Sequence, residues 1–127
     1  MNDQETTVAK LKELVRDFSI ARDWEQFHHP KDLGVALAIE VGEILEHFRY
    51  RSNDQIREHL VQPNHKRELA HELADGLWLL LRLADVCGID LSAALEEKVA
   101  LAELKYPAER VRGLPHKYTF YQSEAEE

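Results

Sequence analysis

The sequence has almost no cysteine, no long apolar run and no excess of positive charge, and each absence excludes a class of protein. Cys87 is the single cysteine in 127 residues, so we expect neither a disulfide framework nor a thiolate metal cluster, and we expect Cys87 to be an inert core thiol. The longest apolar run, Leu77 to Leu81, ends at Arg82 and is far too short to span a membrane. A net charge of −8 argues against a nucleic-acid polymer as the main partner.

The N-terminal residues also lack the basic segment and apolar stretch of a secretory signal peptide, which predicts a cytoplasmic protein. A chain of 127 residues is long enough for one hydrophobic core and too short for two. We therefore expect a single domain over residues 1–127, in which residues 119–127 form a flexible tail.

Sequence repeats and strand-like alternation are absent as well, whereas apolar residues recur at spacings of three and four. Helices are predicted at about residues 7–21, 33–50 and 65–87, and from either Asp90 or Ser92 to residue 105, with a short helix between 51 and 65. The fold class is therefore all-α, a bundle of four to five helices. The helix over 65–87 is apolar around most of its circumference, so we expect it to be central and, since so few helices cannot cover it, we expect a homodimer or homotetramer.

Two pairs of acidic residues stand in these apolar helices: Glu40 with Glu43, and Glu72 with Asp75. Each pair has i,i+3 spacing, which places both carboxylates on one face of a helix. A charge on an apolar face is costly unless it is paired, and a hard divalent cation such as Mg²⁺ relieves the repulsion among carboxylates. One such pair is usually solvated surface, but two pairs on neighbouring antiparallel helices predict a metal site.

A carboxylate-bridged di-iron bundle is the competing metal site, because it requires Glu-x-x-His on two helices. The pairs Glu68 with His71 and Glu25 with His28 match that string. The second pair falls in the loop before Pro30 and not on a bundle helix. On a helical wheel, His71 points away from Glu72, so the two side chains cannot share one site. The di-iron alternative is therefore disfavoured. The same loop carries Trp24, which either packs the loop onto the core or lines a binding site.

The two acidic pairs resemble the signature of the MazG-like nucleotide pyrophosphohydrolases, and the resemblance covers most of the chain. Further segments are similar to the dCTP-pyrophosphatase subgroup of that family: Arg22-Asp23-Trp24-Glu25-Gln26-Phe27-His28, Cys87-x-Ile89-Asp90-Leu91, Lys98, Tyr106-Pro107 and Lys117-Tyr118. The resemblance implies an oligomeric all-α enzyme that cleaves a nucleoside triphosphate, dCTP or a modified nucleotide among them, to the monophosphate and pyrophosphate.

It also implies roles for individual residues. All four carboxylates would hold Mg²⁺, or Mn²⁺ in its place, and Glu40 and Glu43 are the catalytic candidates, although the sequence leaves open which carboxylate orients the attacking water. Trp24 and Tyr50 would stack on the base. Lys98 and the basic residues of the tail, Arg110, Arg112 and Lys117, would contact the phosphates.

Four positions depart from the subgroup. Ala100 and Ala102 stand where relatives have Asp and Asn, and Val15 and Leu79 stand where relatives have His and Tyr beside the base. The metal ligands are intact while the surrounding residues differ, which leaves the substrate base open. A non-catalytic helical relative that binds nucleotide or a protein partner is the alternative function.

Overall fold

The computed structural model describes residues 1–115, and all regular structure in this part of the chain is helical. A single 3₁₀ turn, Glu25–Phe27, follows the first helix. The six α-helices are α1 (Val8–Ile20), α2 (Pro30–Glu46), α3 (Asn53–Val61), α4 (Pro63–Val86), α5 (Leu91–Lys105) and α6 (Ala108–Val111). The predicted all-α fold is confirmed. Lys117 and the predicted tail 119–127 lie outside the described residues.

Capping side chains fix where three of these helices begin. The hydroxyl of Thr7 caps α1, the hydroxyl of Ser52 caps α3 and the carboxylate of Asp90 caps α5. The start of α2 was predicted wrongly at about residue 33. The helix begins at Pro30, because a proline suits the first turn, where its fixed φ fits and no backbone donor is needed.

Backbone conformation marks the ends of α2 and α4. The helix α2 ends at Glu46 instead of Tyr50, and Tyr50 has a left-handed φ of 66° that cannot continue a helix. Gly88 follows α4 with a φ of +67°, the conformation that glycine adopts most easily after a helix. This helix therefore ends within one residue of its predicted end at 87.

The chain divides into two compact units, Met1–Ile89 and the segment from Asp90 onward. Within the first unit, α4 packs against α1, α2 and α3, which confirms its central position. The buried residues of this unit come from three helices: Val15 and Ser19 of α1, Leu33 of α2, and Gly76, Leu81, Arg82 and Ala84 of α4. A single domain over residues 1–127 stays a prediction.

The contact between α2 and α4 brings the two acidic pairs face to face. Gly76 of α4 lies opposite Ile44 of α2, where a Cβ added to the glycine would be 3.7 Å from the Ile44 Cδ1 atom. Ile44 directly follows Glu43, and Gly76 directly follows Asp75. The helix crossing therefore places Glu40 and Glu43 against Glu72.

Several apolar side chains remain exposed on this chain. Cys87 was predicted to be buried, but it caps the C-terminus of α4, beyond the packed turns, and is exposed. Exposed apolar residues line α2 (Val35, Ile39, Val41, Leu45) and α4 (Leu73, Leu77, Leu80). They agree with the predicted assembly, which stays a prediction. No described helix is both long and apolar enough to cross a membrane.

Candidate active site

Three carboxylates converge where α2 crosses α4. Glu40, Glu43 and Glu72 each offer one carboxylate oxygen, and these oxygens all lie within 4.8 Å of one another. Asp75 does not share this mutual spacing, although its charge acts on both Glu40 and Glu72. The structure thus assembles three of the four predicted ligands closely, with the fourth beside them.

Two oxygens of this cluster lack a partner. The Oε2 atoms of Glu40 and Glu72 are buried, and no residue among 1–115 donates a hydrogen bond to them. A buried, unpaired carboxylate oxygen is costly, so such atoms are rare unless something binds them. Carboxylate oxygens are also the ligands that Mg²⁺ and similar hard cations prefer. The donor set therefore fits a divalent cation.

The electrostatics of the cluster agree with that fit. Burial raises the pKa of Glu40, and the negative charges of Glu43, Asp75 and Glu72 raise it further. Burial also raises the pKa of Glu72, with Glu43 as the next cause. Both shifts mean that the site resists holding several negative charges by itself, and a bound cation removes that resistance.

A pocket of about 210 Å³ opens beside the carboxylates. Glu40 and Asp75 form its acidic side. Its other walls are aromatic, apolar and basic, made by Phe18, Ser19, Trp24, His28, Trp78, Leu79 and Arg82. The volume is smaller than the roughly 300–1,000 Å³ typical of sites that enclose a drug-sized ligand. Part of a nucleotide, such as its base, fits these dimensions.

The aromatic wall is built by edge contacts. The Phe18 ring lies 4.9 Å from the Trp78 ring and 5.8 Å from the Trp24 ring, both in T-shaped geometry. Trp24 follows Asp23, whose left-handed φ of 54° turns the chain out of α1 and back toward the pocket. Trp24 therefore lines the pocket that its predicted base-stacking role requires.

Sequence reasoning missed Arg82 as a pocket residue, together with Phe18, Ser19 and Trp78. The Arg82 side chain is 2% exposed, and its Nη1 donates to Asp85 Oδ2 at 3.0 Å. Arg16 donates twice to the same carboxylate, at 2.7 Å each, which holds the pKa of Asp85 below its usual range. The sequence does contain an indication of this role. Arg82 is a charged residue in an apolar helix and stands three residues before Asp85, and the same spacing in an apolar helix identified the acidic pairs.

On its other side, Arg82 contacts the loop that precedes α2. Its Nε donates to His28 Nδ1 at 3.2 Å, and its Nη2 lies 3.5 Å from Glu25 Oε1. Burial lowers the pKa of His28, and the positive charge of Arg82 lowers it further. Glu25 and His28, which matched the sequence pattern of a di-iron site, therefore both contact Arg82. In residues 1–115 the acidic cluster is the one group with metal-ligand spacing, and it contains no histidine.

Other predicted substrate residues lie elsewhere. Tyr50 is 90% exposed beyond the end of α2, beside Glu46 and Arg49, so this chain does not bring it to the pocket. Lys98 is exposed on α5, in the second unit. Val15 is buried in α1, outside the pocket, whereas Leu79 lines it. The roles of Tyr50, Lys98 and Lys117 stay predictions.

Comparisons with known proteins find a matching family model and several similar sequences. A family model described as the MazG-like family matches residues 35–119, which include all four carboxylates. This chain is 38% identical to the Rattus norvegicus protein named dCTP pyrophosphatase 1. The alignment covers 91% of this chain and 68% of that protein. Its Homo sapiens counterpart is 36% identical with the same coverage.

A solved structure supports the same assignment. A pyrophosphatase from Archaeoglobus fulgidus has a TM-score of 0.75 to this chain and is 37% identical in sequence. The match covers 84% of this chain and 98% of that structure. On the family model, the sequence relatives and the shared fold together, this chain belongs to the MazG-like family.

Proposed function

We propose that this protein hydrolyses a nucleoside triphosphate, with dCTP and modified nucleotides as the first candidates, to the monophosphate and pyrophosphate in a Mg²⁺-dependent reaction. One observation carries the proposal: three carboxylates with two unpaired buried oxygens adjoin an aromatic pocket of base size. The cluster suits a cation that binds phosphates, and the pocket suits the rest of the nucleotide.

The reaction type follows from the comparisons. The chain is a nucleotide pyrophosphohydrolase, since its relatives at 36–38% identity are named dCTP pyrophosphatase and its structural neighbour at 37% identity is named a pyrophosphatase. The finer assignment, dCTP as the substrate, is proposed from the name of the relatives, dCTP pyrophosphatase 1. Trp24 supports binding of a base of either type, since it offers a ring on which a base can stack.

Glu40, Glu43, Glu72 and Asp75 would hold the metal, with Mn²⁺ as an alternative to Mg²⁺. When bound, such an ion neutralises the charge of the phosphates and lowers the pKa of a bound water. The side chains of the protein would orient the attacking water and the base. Glu40 belongs to the cluster and also lines the pocket, which supports the proposal that its carboxylate would accept a hydrogen bond from the attacking water while Trp24 would stack on the base.

The test is pyrophosphate release from a panel of canonical and modified ribo- and deoxynucleoside triphosphates, with Mg²⁺, with Mn²⁺ and with a chelator. We expect metal-dependent release of pyrophosphate and the monophosphate, fastest with a deoxycytidine nucleotide. Release of single phosphates would contradict the cleavage position. No hydrolysis of any nucleotide by the folded protein would favour the non-catalytic alternative. Assembly as a homodimer or homotetramer and a cytoplasmic location stay predictions.

A further inference from the structure

The contact between Arg82 and His28 fixes which nitrogen of the imidazole carries the proton. Arginine has only donors, so a hydrogen bond from Arg82 Nε to His28 Nδ1 requires a lone pair on Nδ1. A neutral imidazole then carries its proton on Nε2. Charge and burial both favour the neutral ring, because each lowers the pKa of His28.

The orientation of Arg82 is itself fixed. Its guanidinium is buried and bound to Asp85, and Asp85 is held in turn by two hydrogen bonds from Arg16. Nε therefore points at His28 because the opposite end of the guanidinium is anchored. This chain of contacts links α1 and α4 to the loop before α2.

The last two residues in this series of contacts, Arg82 and His28, line the pocket. They line it together with Trp24, as do Glu40 and Asp75. Within the described residues, no protein group hydrogen-bonds His28 Nε2. The only donor that the ring retains is therefore free to meet a bound molecule.

We propose that Arg82 is a positioning residue for substrate specificity: it holds His28 as a donor to an acceptor on the edge of the nucleobase, a carbonyl oxygen or an unprotonated ring nitrogen. The inference rests on the proposed function, in that the pocket takes the base while the acidic cluster takes the phosphates. It deepens that function by naming the feature of the base that is read. Cytosine offers both kinds of acceptor on one edge.

The first experiment observes the ring directly. In protein labelled with ¹⁵N-histidine, two-bond ¹H–¹⁵N correlation spectra distinguish the two neutral tautomers. We expect His28 in the Nε2–H form, and Arg82→Met should shift it toward a mixture. Methionine keeps the length and apolar contacts of the arginine stem, and Asp85 stays paired with Arg16. An Nδ1–H tautomer in the unsubstituted protein, or no change in the variant, overturns the proposal.

The second experiment measures the effect on the substrate. Arg82→Met should lower kcat/KM for dCTP about two- to tenfold, mainly through KM, since one neutral hydrogen bond is weakened. The same variant should lower hydrolysis of deoxyribose 5-triphosphate, which has no base, by a smaller factor than hydrolysis of dCTP. Arg57→Met is the matched control, because Arg57 also pairs with an aspartate three residues away but is 73% exposed on α3. Equal losses on both substrates would show a merely structural role and overturn the proposal.

If Arg82→Met fails to fold, substitutions of the half-buried His28 test the proposal instead. Glutamine places an amide N–H near the Nε2 position and asparagine places one near Nδ1. His28→Gln should therefore retain more kcat/KM for dCTP than His28→Asn, and equal losses overturn the proposal. If the unsubstituted protein releases no pyrophosphate, the proposed function is wrong. Calorimetric affinities of the Arg82 and His28 variants for α,β-imido-dCTP then test the base contact alone.

Discussion

Replacing Glu43 by Gln should raise the stability of the metal-free protein while removing its response to Mg²⁺. The carboxylate oxygens of Glu43 and Glu40 lie within 4.8 Å of each other. Two unit charges at that distance repel by about 1 kcal/mol in bulk water and about 3 kcal/mol at the effective dielectric constant near a protein surface. Since Glu43 is exposed, the lower figure applies.

The expected numbers follow from that repulsion and from mass action. A gain of about 1 kcal/mol raises the melting temperature by roughly 4 °C for a protein of this size. In the unsubstituted protein, Mg²⁺ at a hundred times its Kd adds about 2.7 kcal/mol, or roughly 10 °C. Glu43→Gln should lose most of that shift, together with Mg²⁺-dependent hydrolysis. The assay is a thermal melt with and without Mg²⁺, beside the pyrophosphate assay.

Glu46→Gln on the same helix is the matched control. Glu46 is exposed and pairs favourably with Arg49 at 2.9 Å, so its loss should lower stability slightly, by about 0.5 kcal/mol or less, and leave the Mg²⁺ shift unchanged. The two substitutions thus change the metal-free melting temperature in opposite directions. If Glu43→Gln lowers that temperature, retains the Mg²⁺ shift or turns over normally, the assignment of Glu43 to a metal site is wrong.

Three further predictions concern other parts of the molecule. Asp85 has a depressed native pKa, so the stability it contributes is complete above its usual pKa of about 4 and is lost as the pH falls through the native value. Asp85→Asn should cost about 3 kcal/mol at neutral pH, because Arg82 loses its buried partner, and chemical denaturation from pH 7 to 2 should show that part of the acid dependence gone. Ala102→Asn, four residues after Lys98 on α5, should raise kcat/KM for at least one common deoxynucleotide by about tenfold; lower activity on every nucleotide tested would mean that Ala102 makes room for a bulkier substrate. Light scattering should find a dimer or tetramer, and a stable monomer at micromolar concentration would contradict the assembly.

The sequence predicted the features that depend on periodicity. Helical spacing identified the main helices, and i,i+3 spacing identified the acidic pairs, because both depend only on the geometry of one helix. Trp24 was predicted from its motif and lies in the pocket. These predictions needed no knowledge of which helices meet.

Features that depend on tertiary contacts were not predictable in the same way. Arg82 was recognised only as the end of an apolar run, since its partners Arg16 and His28 lie on other elements and only the fold brings them together. Cys87 occupies an apolar stretch, yet the end of α4 exposes it. The departure of Tyr50 from α2 depends on a left-handed turn that helical periodicity does not reveal.

The contact between Gly76 and Ile44 sets the gap between the helices that carry the two acidic pairs, and in the proposed metal site this gap would set the size of the ion that they share. An alanine at position 76 would touch the Ile44 Cδ1 atom at an ordinary van der Waals distance of 3.7 Å, whereas a larger residue would separate the helices. Mg²⁺ requires oxygens at about 2.1 Å and Ca²⁺ accepts about 2.3–2.6 Å, so a small change in helix separation changes the preferred ion. In the proposed metal site, discrimination among metal ions would thus depend on two apolar positions that bind no metal.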